Sequence, residues 1–251
     1  VELGSGSSTK TRILLEAAME RFGETQYSPI DVSAEILTNT VNDLVKRYPE
    51  LQLEAVAGRY EFGMEYILKH STTSNCIMWL GSSIGNLTRV EAAQFLREVR
   101  KNIGDDDSLL LGIDLRKGPE ILEPAYDDAS GVTADFNLNL LDRINTELGG
   151  SFERKNFHHK AVYNVEEGRI EMYLLSDQDQ EIEIQNLGTS ISFKKDEMIL
   201  TEYSYKYSHA EIKALAEAAG FFLEQQWLDD EGFFSLNCLK PQNNAPELRA
   251  L

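Results

Sequence analysis

The feature that most constrains this chain is the regular alternation of strand-like and helix-like stretches through its first half. Residues 1–3 read as the end of a strand, and 9–22 as a helix with apolar residues at Ile13, Leu14, Ala17, Ala18 and Phe22. A second strand is expected at 27–32, followed by Ser33 as the N-cap of a helix over 34–48. Residues 51–57 and 76–80 read as the third and fourth strands, ended by Gly58 and Gly81, and 108–115 as the fifth. Between the last two, 88–103 is an amphipathic helix with Thr88 and Glu91 spaced as a capping box. Strict alternation of this kind predicts an α/β fold, a doubly wound parallel sheet with helices on both faces.

The rhythm then changes. Residues 119–128 and 132–148 read as helices, and 158–164, 169–176, 181–184, 189–193 and 198–207 as strands at short spacing, with turn signals such as Glu166-Glu167-Gly168 between them. Ser208 caps a last helix, 209–219, stopped by Gly220, before strands at 221–228 and 233–239. The expected organisation is therefore a main domain from 1–118 and 208–240, an inserted α+β subdomain at 119–207, and a flexible polar tail at 241–251. Because residue 1 already lies inside a strand, an N-terminal truncation is expected.

Composition narrows the function classes. With 42 acidic and 24 basic residues the formal charge is -18, a surface that repels phosphate backbones and argues against a nucleic-acid partner. No apolar run approaches the roughly 20 residues of a membrane helix, and no signal segment precedes the first strand. The two cysteines, Cys76 and Cys238, each lie in an apolar run and read as buried free thiols, which favours a reducing, cytoplasmic setting. The four histidines are scattered, and the tandem His158-His159 reads as an accident of a strand rather than a ligand pair, so no metal site is expected.

Chemistry concentrates at three turns. Glu2-Leu3-Gly4-Ser5-Gly6 runs into a helix whose first N–H groups are free, and Gly4 and Gly6 let the backbone approach a ligand closely. The third glycine of the dinucleotide pattern is replaced by Thr9, and the spacing before Lys10 is not that of a Walker loop. A turn binding nothing is the bland alternative. Asp31 closes the second strand where doubly wound folds place an acid on a ribose; an acid merely capping the next helix is compatible with that role, and NAD remains open at this point. The second turn, Leu80-Gly81-Ser82-Ser83-Ile84-Gly85-Asn86-Leu87-Thr88, leaves the fourth strand, and Asn86 can both donate and accept there. The third is Ala125-Tyr126-Asp127-Asp128-Ala129-Ser130-Gly131-Val132-Thr133; its paired acids read as a helix end and a cap rather than a metal site.

Together with Leu110-Leu111-Gly112-Ile113-Asp114-Leu115, Phe136-Asn137, Arg169-Ile170-Glu171-Met172 and Leu200-Thr201-Glu202-Tyr203-Ser204, these stretches resemble the L-histidine Nα-methyltransferases of ergothioneine biosynthesis. The resemblance implies a class I methyltransferase fold, a Rossmann-like doubly wound sheet, with a smaller substrate-binding subdomain. It implies S-adenosyl-L-methionine as cofactor and three methyl transfers to the α-amino group of L-histidine, giving hercynine. Gly4, Lys10, Asp31 and Gly81 would lie at the cofactor, with Tyr60 stacking on adenine. Asn86 and Tyr126 would hold the substrate carboxylate, Glu202 and Ser204 the imidazole, and Met172 would pack beside it.

The family has an acid where this chain has Arg59, which cannot accept from the adenine amine, and an N-terminal region that closes the amino-acid pocket with tyrosines. No catalytic residue is assigned. A monomer is expected, with fusion to other pathway domains open. The alternatives are a related enzyme acting on tryptophan or a prenylated tryptophan, a NAD-dependent oxidoreductase, and a non-catalytic domain that has kept the fold.

Overall fold

The computed structural model describes residues 1–242, and the chain separates into two compact units. The first unit comprises Val1–Ser83, Arg89–Asp114 and the chain from Ser208 onward; the second comprises Ile84–Thr88 and Leu115–Tyr207.

The first unit opens with β1 (Glu2–Leu3) and α1 (Thr11–Phe22). The strand expected at 27–32 divides in two, β2 (Gln26–Tyr27) and β3 (Pro29–Asp31). After α2 (Ala34–Arg47), begun by Ser33 accepting from the Ile36 amide, the third expected strand divides likewise into β4 (Gln52–Leu53) and β5 (Val56–Ala57). The outer pieces β2 and β4 pair only with each other, while β3 and β5 enter the main sheet. A helix not read in the sequence, α3 (Tyr60–His70), follows; then come β6 (Cys76–Trp79), α4 (Arg89–Asn102) and β7 (Ser108–Asp114).

The second unit begins with α5 (Pro119–Tyr126) and α6 (Val132–Leu148). Asp128 starts α6 by accepting from the amides of Val132 and Thr133 at 3.1 and 2.8 Å, which is the capping role read for it. The strands β8 (Phe157–Asn164), β9 (Arg169–Ser176), β10 (Gln180–Ile184), β11 (Thr189–Phe193) and β12 (Met198–Tyr205) follow. They form an antiparallel sheet in the order β12-β9-β8 and a separate hairpin, β10-β11. One apolar cluster joins Leu141 of α6 to Phe152, Phe157, Leu174, Ile182 and Phe193; another joins Leu122 of α5 to Ala161, Tyr163, Ile170 and Met172, with Tyr126 packed against it.

The chain then returns to the first unit through α7 (His209–Ala218), β13 (Phe221–Leu228) and β14 (Phe234–Pro241). The full sheet order is β13-β14-β7-β6-β1-β3-β5. Strands β5, β3, β1, β6 and β7 are parallel, and β14 runs antiparallel to both neighbours. The reversal has a local cause: a tight turn, in which Asp229 accepts from the amides of Phe233 and Phe234, permits a hairpin and no crossover. The sheet moves outward from β1 to β5 and resumes on the other side at β6, so the switch in strand order lies between β1 and β6. Doubly wound folds bind ligands at the carboxyl ends of such a pair.

Two expectations need correction. The cysteines are not buried: Cys76, the first residue of β6, is exposed, and Cys238 is half-buried. They lie on strands separated by β7, roughly 9–10 Å apart at the ordinary strand spacing, beyond the reach of a disulfide. Of the tail expected over 241–251, Pro241 pairs with Phe221 in β14 and Gln242 donates to the Gly220 carbonyl, and residues 243–251 lie outside the described residues.

Candidate active site

In the first unit the loop leaving β1 encloses a cleft of about 270 Å³ lined by Glu2, Gly4–Thr11, Leu80 and Gly81. Its shape depends on left-handed backbone at Gly4, Gly6 and Ser8. A glycine is favoured at position 4 on two counts: its φ is +69°, and a Cβ there would lie 2.6 Å from the Tyr60 hydroxyl. Beneath the loop a buried network fixes its conformation. Glu2, 4% exposed, accepts from the hydroxyls of Thr11, at 2.6 Å, and Tyr27, and Tyr27 shares a hydrogen bond of 2.8 Å with Ser8. Burial pushes the Glu2 carboxyl above its ordinary pKa, against the lowering effect of the two hydroxyls.

Asp31 does more than close β3. Its carboxylate accepts from the Gly6 amide at 3.0 Å and from the Ser33 amide at 2.9 Å, tying the glycine loop to the start of α2. Each oxygen keeps a lone pair for a further donor, so the bracing and ribose roles are compatible. Lys10 and Gly81 line the cleft and are exposed. Tyr60, half-buried at the start of α3, stands edge-on to Trp79 and Phe95 with centroids 6.1 Å away in both cases, and its hydroxyl reaches Gly4. Burial and the Asp31 charge raise the phenol pKa. Arg59 is turned outward, 85% exposed, with Glu61 3.9 Å away.

In the second unit the residues expected to hold an amino acid come together. Tyr126 at the end of α5 and Ser204 on β12 share a hydrogen bond of 2.9 Å. Glu202 lies on the same face of β12 as Ser204, opposite Met172 in the β12–β9 ladder. Asn86, exposed, follows Gly85, where a Cβ would lie 2.8 Å from the Tyr205 carbonyl oxygen and 3.6 Å from Ser204 Oγ. That close approach brings Gly85, the residue before Asn86, against β12. Among the described residues the Glu202 carboxyl takes no hydrogen bond or ion pair, although it is half-buried; burial raises its pKa, against the opposing charge of Lys206. A half-buried, unpartnered carboxyl is costly unless something binds it.

Two residues of this group escaped the sequence reading. Lys206, only 1% exposed, places its Nζ 2.7 Å from Tyr126 Oη, 3.0 Å from Ser204 Oγ and 4.6 Å from the Tyr126 ring centroid. The Glu202-x-Ser204-x-Lys206 alternation, carried one residue past the end of β12, was the available signal. His159, read as an accident, is a buried brace: its Nε2 donates to the Tyr126 carbonyl at 2.7 Å. Its Nδ1 must then accept from the Asn137 amide, 2.9 Å away, which also donates to the Tyr173 carbonyl. Among the described residues no three His, Cys, Asp or Glu side chains are grouped to hold a metal ion, and no helix is long and apolar enough to cross a membrane.

Comparison with known proteins gives the family of the chain. A family model described as histidine-specific, S-adenosylmethionine-dependent methyltransferase matches residues 1–241. The histidine N-alpha-methyltransferase of Mycobacterium tuberculosis is 40% identical over 94% of this chain and 73% of its own. An L-tryptophan methyltransferase of Psilocybe serbica is 29% identical over 98% of this chain and 73% of its own. The solved CcbJ methyltransferase of Streptomyces caelestis aligns with a TM-score of 0.50 at 11% identity, over 96% of this chain and 82% of that one, a likeness of fold alone.

Proposed function

The chain belongs to the histidine-specific, S-adenosylmethionine-dependent methyltransferase family, and from that premise we propose that it methylates the α-amino group of L-histidine three times, giving hercynine for ergothioneine biosynthesis. The observation that carries the substrate assignment is Glu202. A half-buried carboxyl with no protein partner is matched by an imidazole N–H and left unpaired by most other side chains. An indole N–H can meet one acceptor but offers the neighbouring Ser204 nothing, which disfavours tryptophan.

The cofactor cleft fits this reading. The bare Cα of Gly4, the open backbone at Gly6 and the adjacent helix start admit the close approach of a ligand, with Lys10 and Gly81 lining the cleft, Asp31 positioned for the ribose and Tyr60 for the adenine. When bound, S-adenosylmethionine supplies an electrophilic sulfonium methyl group. The protein's task is to hold the amine in line with it and to exclude water. In the second unit we assign Asn86 and Tyr126 to the carboxylate of the amino acid and Glu202, Ser204 and Met172 to its ring; the Tyr126–Ser204 hydrogen bond and the Glu202–Met172 pairing support that reading. Two free thiols suit the reducing cytoplasm.

The test is mass spectrometry of histidine incubated with the protein and S-adenosylmethionine, expected to show successive gains of one, two and three methyl groups. In Glu202→Ala, histidine affinity measured by calorimetry falls about tenfold or more while cofactor affinity holds. Unchanged histidine binding in that variant would overturn the imidazole assignment.

A further inference from the structure

A carboxylate only accepts hydrogen bonds, and an ammonium only donates them. Those two facts fix the protons around Lys206. Its Nζ donates to both Tyr126 Oη and Ser204 Oγ, at 2.7 and 3.0 Å, and holds the two oxygens 2.9 Å apart. At that separation one of the two hydroxyl protons must lie between them, because facing lone pairs would repel. The pair therefore has a single O–H left to offer outward.

The consequence rests on the reading that the substrate is histidine, with its carboxylate at Tyr126. The carboxylate accepts a hydrogen bond from the Tyr126 O–H, which stays on the phenol. Ser204 must then turn its own proton to Tyr126, and its remaining capacity is to accept. We propose that Lys206 is a positioning residue that makes Ser204 an acceptor, so that the site binds an imidazole through one N–H at Ser204 and a second proton shared between the other ring nitrogen and Glu202. A neutral imidazole brings one N–H, so the complex holds one proton more than its separated parts. Burial, which raises the Glu202 carboxyl, favours keeping that proton. Lys206 is the charged group acting on Glu202, β9 places Met172 opposite it, and α5 contributes Tyr126.

Hercynine is the suitable probe, because its quaternary nitrogen cannot titrate. Calorimetry at about pH 8, in buffers of different ionisation enthalpy and with the protein saturated with S-adenosylhomocysteine, counts the protons taken up. Free imidazole is mostly neutral there, its pKa being about 6.5. The wild-type protein is expected to take up about one proton per hercynine. In Lys206→Met the clamp is gone, Ser204 can donate to the ring, Glu202 accepts its N–H, and uptake falls towards none while binding persists. Lys206→Arg, which keeps a donor, restores part of it. Ser204→Ala, which leaves Lys206 in place, also loses the uptake, so the idea remains testable should Lys206→Met not fold. Wild-type binding without proton uptake, or uptake unchanged in Ser204→Ala or Lys206→Met, overturns the inference. A wild-type protein that binds no hercynine overturns the histidine reading instead, and the two failures are distinguishable.

Discussion

Single residues carry the recognition chemistry here, and they do so by what they leave out as much as by what they present. Gly4 offers no side chain where Tyr60 Oη arrives, and it holds a backbone angle that costs an L-residue about 1–2 kcal/mol. Gly4→Ala should therefore weaken S-adenosylhomocysteine binding by about tenfold or more, read by calorimetry. Pairing it with Tyr60→Phe, which removes the crowding atom but not the strain, should recover only part of the loss. The glycine turn was legible in sequence because glycines announce a backbone need. Lys206 was not. A lysine after a strand ordinarily reads as surface, and only the tertiary meeting of β12 with α5 reveals that its ammonium donates to Tyr126 and Ser204. His159 was missed for the same reason: its partner, the Tyr126 carbonyl, is distant in sequence and is a backbone group that no motif displays.

At the level of elements, terminal signals proved reliable and interior ones less so. Ser208 and Glu211 form the reciprocal capping box at the start of α7, with each side chain accepting from the other's backbone amide. Replacing Ser208 by Ala should cost about 1 kcal/mol of stability, measured as a lower denaturant midpoint with an unchanged slope. The strand β9 falls where it was read, with Ile170, Met172 and Leu174 buried on one face. The strands read at 27–32 and 51–57 broke in two, since the sheet takes only their second halves and the first halves pair separately. Helix α3 was not legible: Gly63 sits in its interior and weakens the helical signal, yet it is required, because a Cβ there would press within 2.6 Å of Ile30.

For the whole molecule, the charge of -18 is the dominant long-range term. Like charges at this density oppose compaction, and salt screens them over about 10 Å at 0.1 M. The thermal midpoint should therefore rise as sodium chloride is increased from low ionic strength; a midpoint that falls would mean that the exposed ion pairs, such as Arg143 with Glu147, outweigh the general repulsion.

The position of β14 has a consequence in time. It is the antiparallel partner that fills the place beside β7, yet the ribosome makes it only after all of Leu115–Tyr207, α7 and β13 have emerged. Throughout that interval β7, with Leu109, Leu110 and Leu111 in sequence, presents a bare and strongly apolar strand edge. The nascent chain thus exposes its most adhesive edge during synthesis rather than after it.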